Sequence, residues 1–237
     1  MYTSKTFIRS GWAVALVLLL CVSSGCAVVS LEDGSILYGA RQVAQDDVGG
    51  DHAMTILDAE FDADQYVESI WESQVLPEFE KSAMDLTEIK QALEEDCQKA
   101  CEKYGVISND KSCCIFVVSA EGTLKDVNRE SRNGMATIEI EGENAPYTIQ
   151  LQIGPVYKGA SLRDALPFIK FSDFKNQVDF SGISSALNRK VDTDIIPMAN
   201  LEESIGESIC VKGAFSIKNE EDDIVITPVA LVRGDTI

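Results

Sequence analysis

The chain has 237 residues, 45% hydrophobic and 25% charged, with a formal net charge of −19. That balance supplies a core for one domain with extensions. So acidic a surface repels phosphate backbones and anionic lipid headgroups, and no basic run with interleaved aromatics offsets it, which excludes nucleic-acid binding.

Lys5 and Arg9 are the only charges among the first 31 residues, and an apolar run follows from Trp12 to Val22. The run has the length of a signal-peptide core and is short for a membrane span. Ser23, Ser24 and Gly25 then precede Cys26. Small residues before a cysteine are what a lipoprotein signal peptidase reads, so residues 1–25 are expected to be a lipoprotein signal peptide and Cys26 the lipidated residue. Two or more acyl chains there give stable anchoring. Ser23 stands where leucine is commonest in such a site. A second reading stays open: Gly11 to Leu31 is uncharged and long enough for an uncleaved signal-anchor helix, which Lys5 and Arg9 would orient with the remainder outside. Both readings export the chain into the cell envelope.

Residues 26–51, with Gly34, Gly39, Asp46, Asp47, Gly49 and Gly50, read as a tether. Residues 52–237 read as a single α+β domain, with helices over about 62–104 and a barrel over about 113–233. A short strand is expected at Ala53–Leu57. Asp62 with Gln65 three residues on is a capping-box pattern. Tyr66, Val67, Ile70, Trp71, Val75 and Leu76 form a helical stripe, which Pro77 ends or restarts. A longer helix is predicted over Ser82–Tyr104, stopping at Gly105.

From Cys113 the apolar period changes to two. Strands are predicted at Cys114–Ser119, Thr123–Asn128, Met135–Ile140, Tyr147–Ile153, Ile209–Lys218 and Asp223–Arg233, with Gly122, Gly134, Gly142 and Asn219 at turns. Helices are predicted at about Ser161–Leu166 and Phe171–Val191. Short strands, helical insertions and no repeated βαβ unit point to a small antiparallel barrel with a helical N-terminal extension and a helical insertion.

Ile153–Asn188 (IGPVYKGASLRDALPFIKFSDFKNQVDFSGISSALN) closely resembles the central signature of a bacterial family of predicted periplasmic lipoproteins, a domain of unknown function. Phe61–Pro77 resembles its other recurring block, and Gly213-Ala214-Phe215 with Ile226-Thr227-Pro228-Val229 resembles its end. The resemblance spans about residues 50–233. It implies an exported lipoprotein with an OB-like barrel, often associated with sugar-type ABC transport systems, and carries over no activity. Lys158 stands where arginine is expected, which keeps the charge and loses a planar bidentate contact.

Cys97 and Cys101 share one helix face, and Cys113 and Cys114 open the next strand. These four are the disulfide candidates, as one or two bridges, with Cys210 left over; buried thiols are the competing reading, and four-cysteine zinc binding fits the spacing poorly. The one histidine, His52, lies before the helices, so no triad or multi-histidine metal site can be assembled. Carboxylate pairs are inevitable among 39 acidic residues. No catalytic residue, metal or cofactor is therefore assigned, and a non-enzymatic role is expected. The candidate ligand set is Lys158, Arg163, Asp164, Asn176 and Gln177, flanked by Phe168, Phe171, Phe174 and Phe180. The competing reading is that these side chains satisfy backbone groups where helices cross the barrel mouth.

The expected partners are the membrane, through the lipid anchor, and a transport-system protein. Cys26→Ala should abolish incorporation of labelled palmitate into the protein. Retained label would refute lipidation at Cys26, and lost label with undiminished membrane association would favour the signal-anchor helix.

Overall fold

The computed structural model describes residues 61–108, 113–142, 145–219 and 221–234. The signal segment, Cys26, the tether, the strand expected at Ala53–Leu57 and His52 lie outside the described residues.

Helix α1 (Ala63–Ile70) starts at Asp62, whose carboxylate accepts the Asp64 and Gln65 amides at 3.0 Å each. Its apolar stripe continues through a wide π-turn, Trp71–Val75, into α2 (Leu76–Ser82). Pro77 explains the wide turn. It has no N–H to give, and its ring crowds the carbonyl four residues back, so the chain opens the preceding turn instead of stopping. Val67, Ile70, Trp71, Val75 and Phe79 are buried along this composite helix.

The two-residue strand β1 (Met84–Asp85) leads into α3 (Leu86–Tyr104). The helix begins later than Ser82 because Asp85 caps it, accepting the Thr87 and Glu88 amides. At Asp96 the backbone turns extended (φ −167°, ψ 100°), so α3 is two helical pieces, and Asp96 caps the second through the Lys99 amide at 3.0 Å. Gly105 ends it, and β2 (Val106–Ile107) pairs antiparallel with the start of β3 (Cys114–Asn128).

Two predicted strands are one here: β3 runs unbroken through Gly122. That glycine marks a close approach rather than a turn, since a Cβ would collide with the Glu139 carbonyl and the Ile138 and Ile140 side chains. The strands β4 (Asn133–Ile140), β5 (Tyr147–Pro155), β6 (Ser208–Ile217) and β7 (Val225–Arg233) complete a barrel of order β3-β4-β5-β7-β6, closed by β3–β6 pairing. The expected antiparallel barrel closes through one parallel pair, β5–β7. Burial alternates strictly along β4, and Phe116 stacks on Phe215 inside at 5.4 Å.

Between β5 and β6 lies the helical insertion. It comprises α4 (Ser161–Asp164), a 3₁₀ turn (Phe171–Asp173) and α5 (Gln177–Lys190). A second π-turn (Val191–Ile195) then precedes α6 (Ile196–Ala199). The helix predicted from Phe171 starts six residues later, because Asn176 caps α5. Pro197 follows the second π-turn as Pro77 follows the first, for the same reason. Helices α1 and α5 pack together, with Arg189 paired to Asp64 (2.6 Å) and Lys190 to Glu68 (2.6 Å).

One disulfide, Cys101–Cys114, fastens the second piece of α3 to β3. Cys97 and Cys113 lie outside it and are half-buried, and Cys210 is buried with its thiol 3.0 Å from the Gly234 carbonyl. Gly105 packs so closely on the Cys114 sulfur that any Cβ would collide with it. The bridge spans a sequence separation of 13. Replacing both cysteines by alanine should lower stability by about 3 kcal/mol, read as an earlier urea midpoint. An unchanged midpoint would mean the bridge does not form in the protein.

Candidate functional site

The signature segment begins where β5 leaves the barrel. Gly154 has φ +67°, and a Cβ there would meet the Asp192 carboxylate and the Tyr157 ring. The Gly154-Pro155 bond is cis. Tyr157 donates its hydroxyl to Asp192 at 3.4 Å; burial and then the Asp192 charge hold the phenol above its ordinary pKa. Arg129, from the β3–β4 loop, reaches the Ile153 carbonyl (3.2 Å) and the Glu202 carboxylate (2.5 Å).

The seam between insertion and barrel is polar and buried. Gln152 of β5 donates to the Thr227 hydroxyl at 2.8 Å and the Lys158 carbonyl at 3.0 Å, and accepts from the Lys158 amide at 2.6 Å. Ser161 donates to the Ala214 carbonyl at 3.4 Å. No single-residue signal marks Gln152 in sequence: its neighbours alternate regularly, and an outward glutamine on a strand is expected to be solvated.

The five predicted ligand residues do not converge. Arg163 is 9% exposed. Its Nε and Nη2 lie 2.8 and 2.7 Å from the Asp164 carboxylate, and its guanidinium stacks 4.0 Å from the Phe180 ring centre. Asn176 turns to α5, accepting the Val178 and Asp179 amides at 2.8 and 2.9 Å and donating to the Asp179 carboxylate at 3.0 Å. Lys158 and Gln177 are exposed. The flanking rings form a chain: Phe171 and Phe174 meet Phe180, and Phe174 meets Phe61 and Tyr66 of the first helical segment. Phe168 packs against the core.

Two open clefts lie elsewhere. One of about 670 Å³ is bordered by Cys97, Cys101, Cys113, Ile107 and Lys218. The other, about 410 Å³, holds Tyr147 with Lys90 4.8 Å over its ring, and Glu94 and Asp223 beside them. Burial raises the Tyr147 phenol pKa. Among the described residues no group of three or more histidine, cysteine, aspartate or glutamate side chains could hold a metal ion, and no helix is long and apolar enough to cross a membrane.

A closed five-stranded barrel with its helical insertion between the third and fourth barrel strands defines the class: an OB-like barrel within an α+β domain. The structure is similar to the crystal structure of an OB-fold protein from Thermotoga maritima, with a TM-score of 0.58 at 17% identity, covering 73% of this chain and 99% of that one. The chain belongs to the family described as predicted periplasmic lipoproteins, a domain of unknown function, whose model matches residues 16–232. Membership places it in the periplasm, held at a membrane. A comparison with curated proteins found no match.

Two substitutions separate structural from ligand roles. Asn176→Ala should cost about 1 kcal/mol of stability, largely restored by Asn176→Ser. Arg163→Ala should cost about 3 kcal/mol by taking the guanidinium away from the Asp164 carboxylate and the Phe180 ring. Both are read by chemical denaturation; undiminished stability in both would return these residues to the ligand-binding reading.

Proposed function

We propose that this protein is a non-enzymatic accessory or interaction module of an envelope transport system, kept at its partner by the membrane anchor. One observation carries the reading: two polar side chains of the signature, Arg163 and Asn176, are engaged within the protein itself. Arg163 holds Asp164, and Asn176 holds the α5 amides. A residue spent on seating a helix is not offered to a substrate. The transport association comes from the family resemblance. The alternative, a sugar- or anion-binding site using Lys158 to Gln177, has less support, because Arg163 and Asn176 are already engaged inside the protein.

In-cell crosslinking from the native membrane, with identification of what is captured, tests this. Reproducible enrichment of a transport-system membrane protein over an unrelated lipoprotein of similar abundance is expected. Capture of bulk envelope proteins alone would count against it.

A further inference from the structure

Sulfur is concentrated at one place in the described fold. The cleft of about 670 Å³ is bordered by Cys97, Cys101, Cys113 and Cys114, where the second piece of α3 meets the start of β3 and the end of β6. Cys101 and Cys114 are bridged, while Cys97 and Cys113 lie outside the bridge and are half-buried. The family is a periplasmic one, and that compartment lets disulfides form and persist.

The two halves of the bridge are not alike. Cys114 is buried, and Gly105 packs on its sulfur so closely that no Cβ fits there. Cys101 is half-buried and borders the cleft. An incoming thiol therefore reaches the Cys101 sulfur first. That sulfur also has a second cysteine within range. The Cα atoms of Cys101 and Cys114 are 6.0 Å apart. Cys97 precedes Cys101 by one helical turn, which sets their Cα atoms roughly 6 Å apart, inside the disulfide range of about 4.4–6.8 Å. An intact helix would hold the two Cβ atoms too far apart to bridge. Here the backbone is extended at Asp96, so Cys97 is the first residue of its helical piece. A residue at such an end can swing toward Cys101 without unwinding what precedes it.

We infer that Cys101 is the exchangeable half of a disulfide latch, which the Cys97 thiol takes over from Cys114. The Cys97 sulfur, as thiolate, attacks the Cys101 sulfur. The Cys97–Cys101 bond forms as the Cys101–Cys114 bond breaks, and the electron pair leaves on the Cys114 sulfur, which takes up the proton that Cys97 released. No oxidant or reductant is consumed. The bridge moves from between helix and strand to within the helix. The second piece of α3 is then untied from β3 and held there by packing and by the β2–β3 pairing, so the cleft it borders can open. Cys113 is the rival thiol, and a bridge to it would keep the helix tied beside β3.

The test uses the full chain, air-free and without added oxidant or reductant, incubated under native conditions with a maleimide that caps thiols. Digestion and mass spectrometry then locate caps and bridges. Capping of Cys114 is expected, together with a digest product in which Cys97 is bridged to Cys101. Each molecule should be capped at Cys97 or at Cys114 and never at both, because a capped Cys97 can no longer attack. Cys97→Ser, which retains the bridge, should lose the Cys114 cap, and Cys113→Ser should keep it. A Cys114 that is never capped overturns the latch. So does a cap on Cys114 that persists in Cys97→Ser, or one found with Cys97 capped on the same molecule. The linked product is read in the unsubstituted chain, so the outcome does not depend on how either variant folds.

Discussion

Closure of the barrel depends on β3. Its first ten residues pair with β6 and its last with β4, and Thr123 is the corner, facing Ser208 on one side and Glu139 on the other. A strand that serves both neighbours must bend, and Gly122 lets it by bringing the backbone against the Glu139 carbonyl where no side chain fits. The irregular register between Leu124 and Asp126 completes the bend. Phe116, Val118 and Leu124 then share the inner face, Ile115 is covered on the opposite one, and all four are almost fully buried. Each such side chain contributes about 1.5–3 kcal/mol relative to exposure. Without the corner, β6 and β4 would both present open edges.

The helices are arranged around that strand. β1 and β2 pair along its flank, and the disulfide ties α3 to its first residue. Lys212 of β6, its stem buried, pairs with Glu80 of α2 and binds the N-terminal helical segment to the neighbouring strand. The N-terminal extension and the insertion then meet each other across the α1–α5 contact, closing a layer of helices against the barrel.

Much of this was legible from period and caps, and the failures have physical causes. The alternation of β4 is unambiguous because one face is core and the other water. Gly122 misleads because a glycine in a strand pattern signals either a turn or a close approach, and only the partner strand decides which. Pro77 reads as ending the helix or restarting it, and the chain restarts it through a π-turn, as it does again before Pro197. Asn176 misleads differently: its amide could read a ligand, but Asp179 three residues on is a capping arrangement, and the cap prevails. Gln152 was invisible, since its burial comes from a loop and a strand remote in sequence.

The signature therefore describes a seam before it describes a site. Gln152, Thr227 and the Lys158 backbone hold the insertion's lead-in to two parallel strands, and Arg163–Asp164 locks α4 beneath Phe180. A buried ion pair is weak evidence for stability, because apolar residues of equal volume often serve as well. What ties α4 to its neighbour here is Arg163, whose guanidinium stacks 4.0 Å from the Phe180 ring centre of α5. The Lys158 side chain is not consumed in this way: only its backbone is held, and its charge stays outside. The seam thus sets the position of the insertion on the barrel.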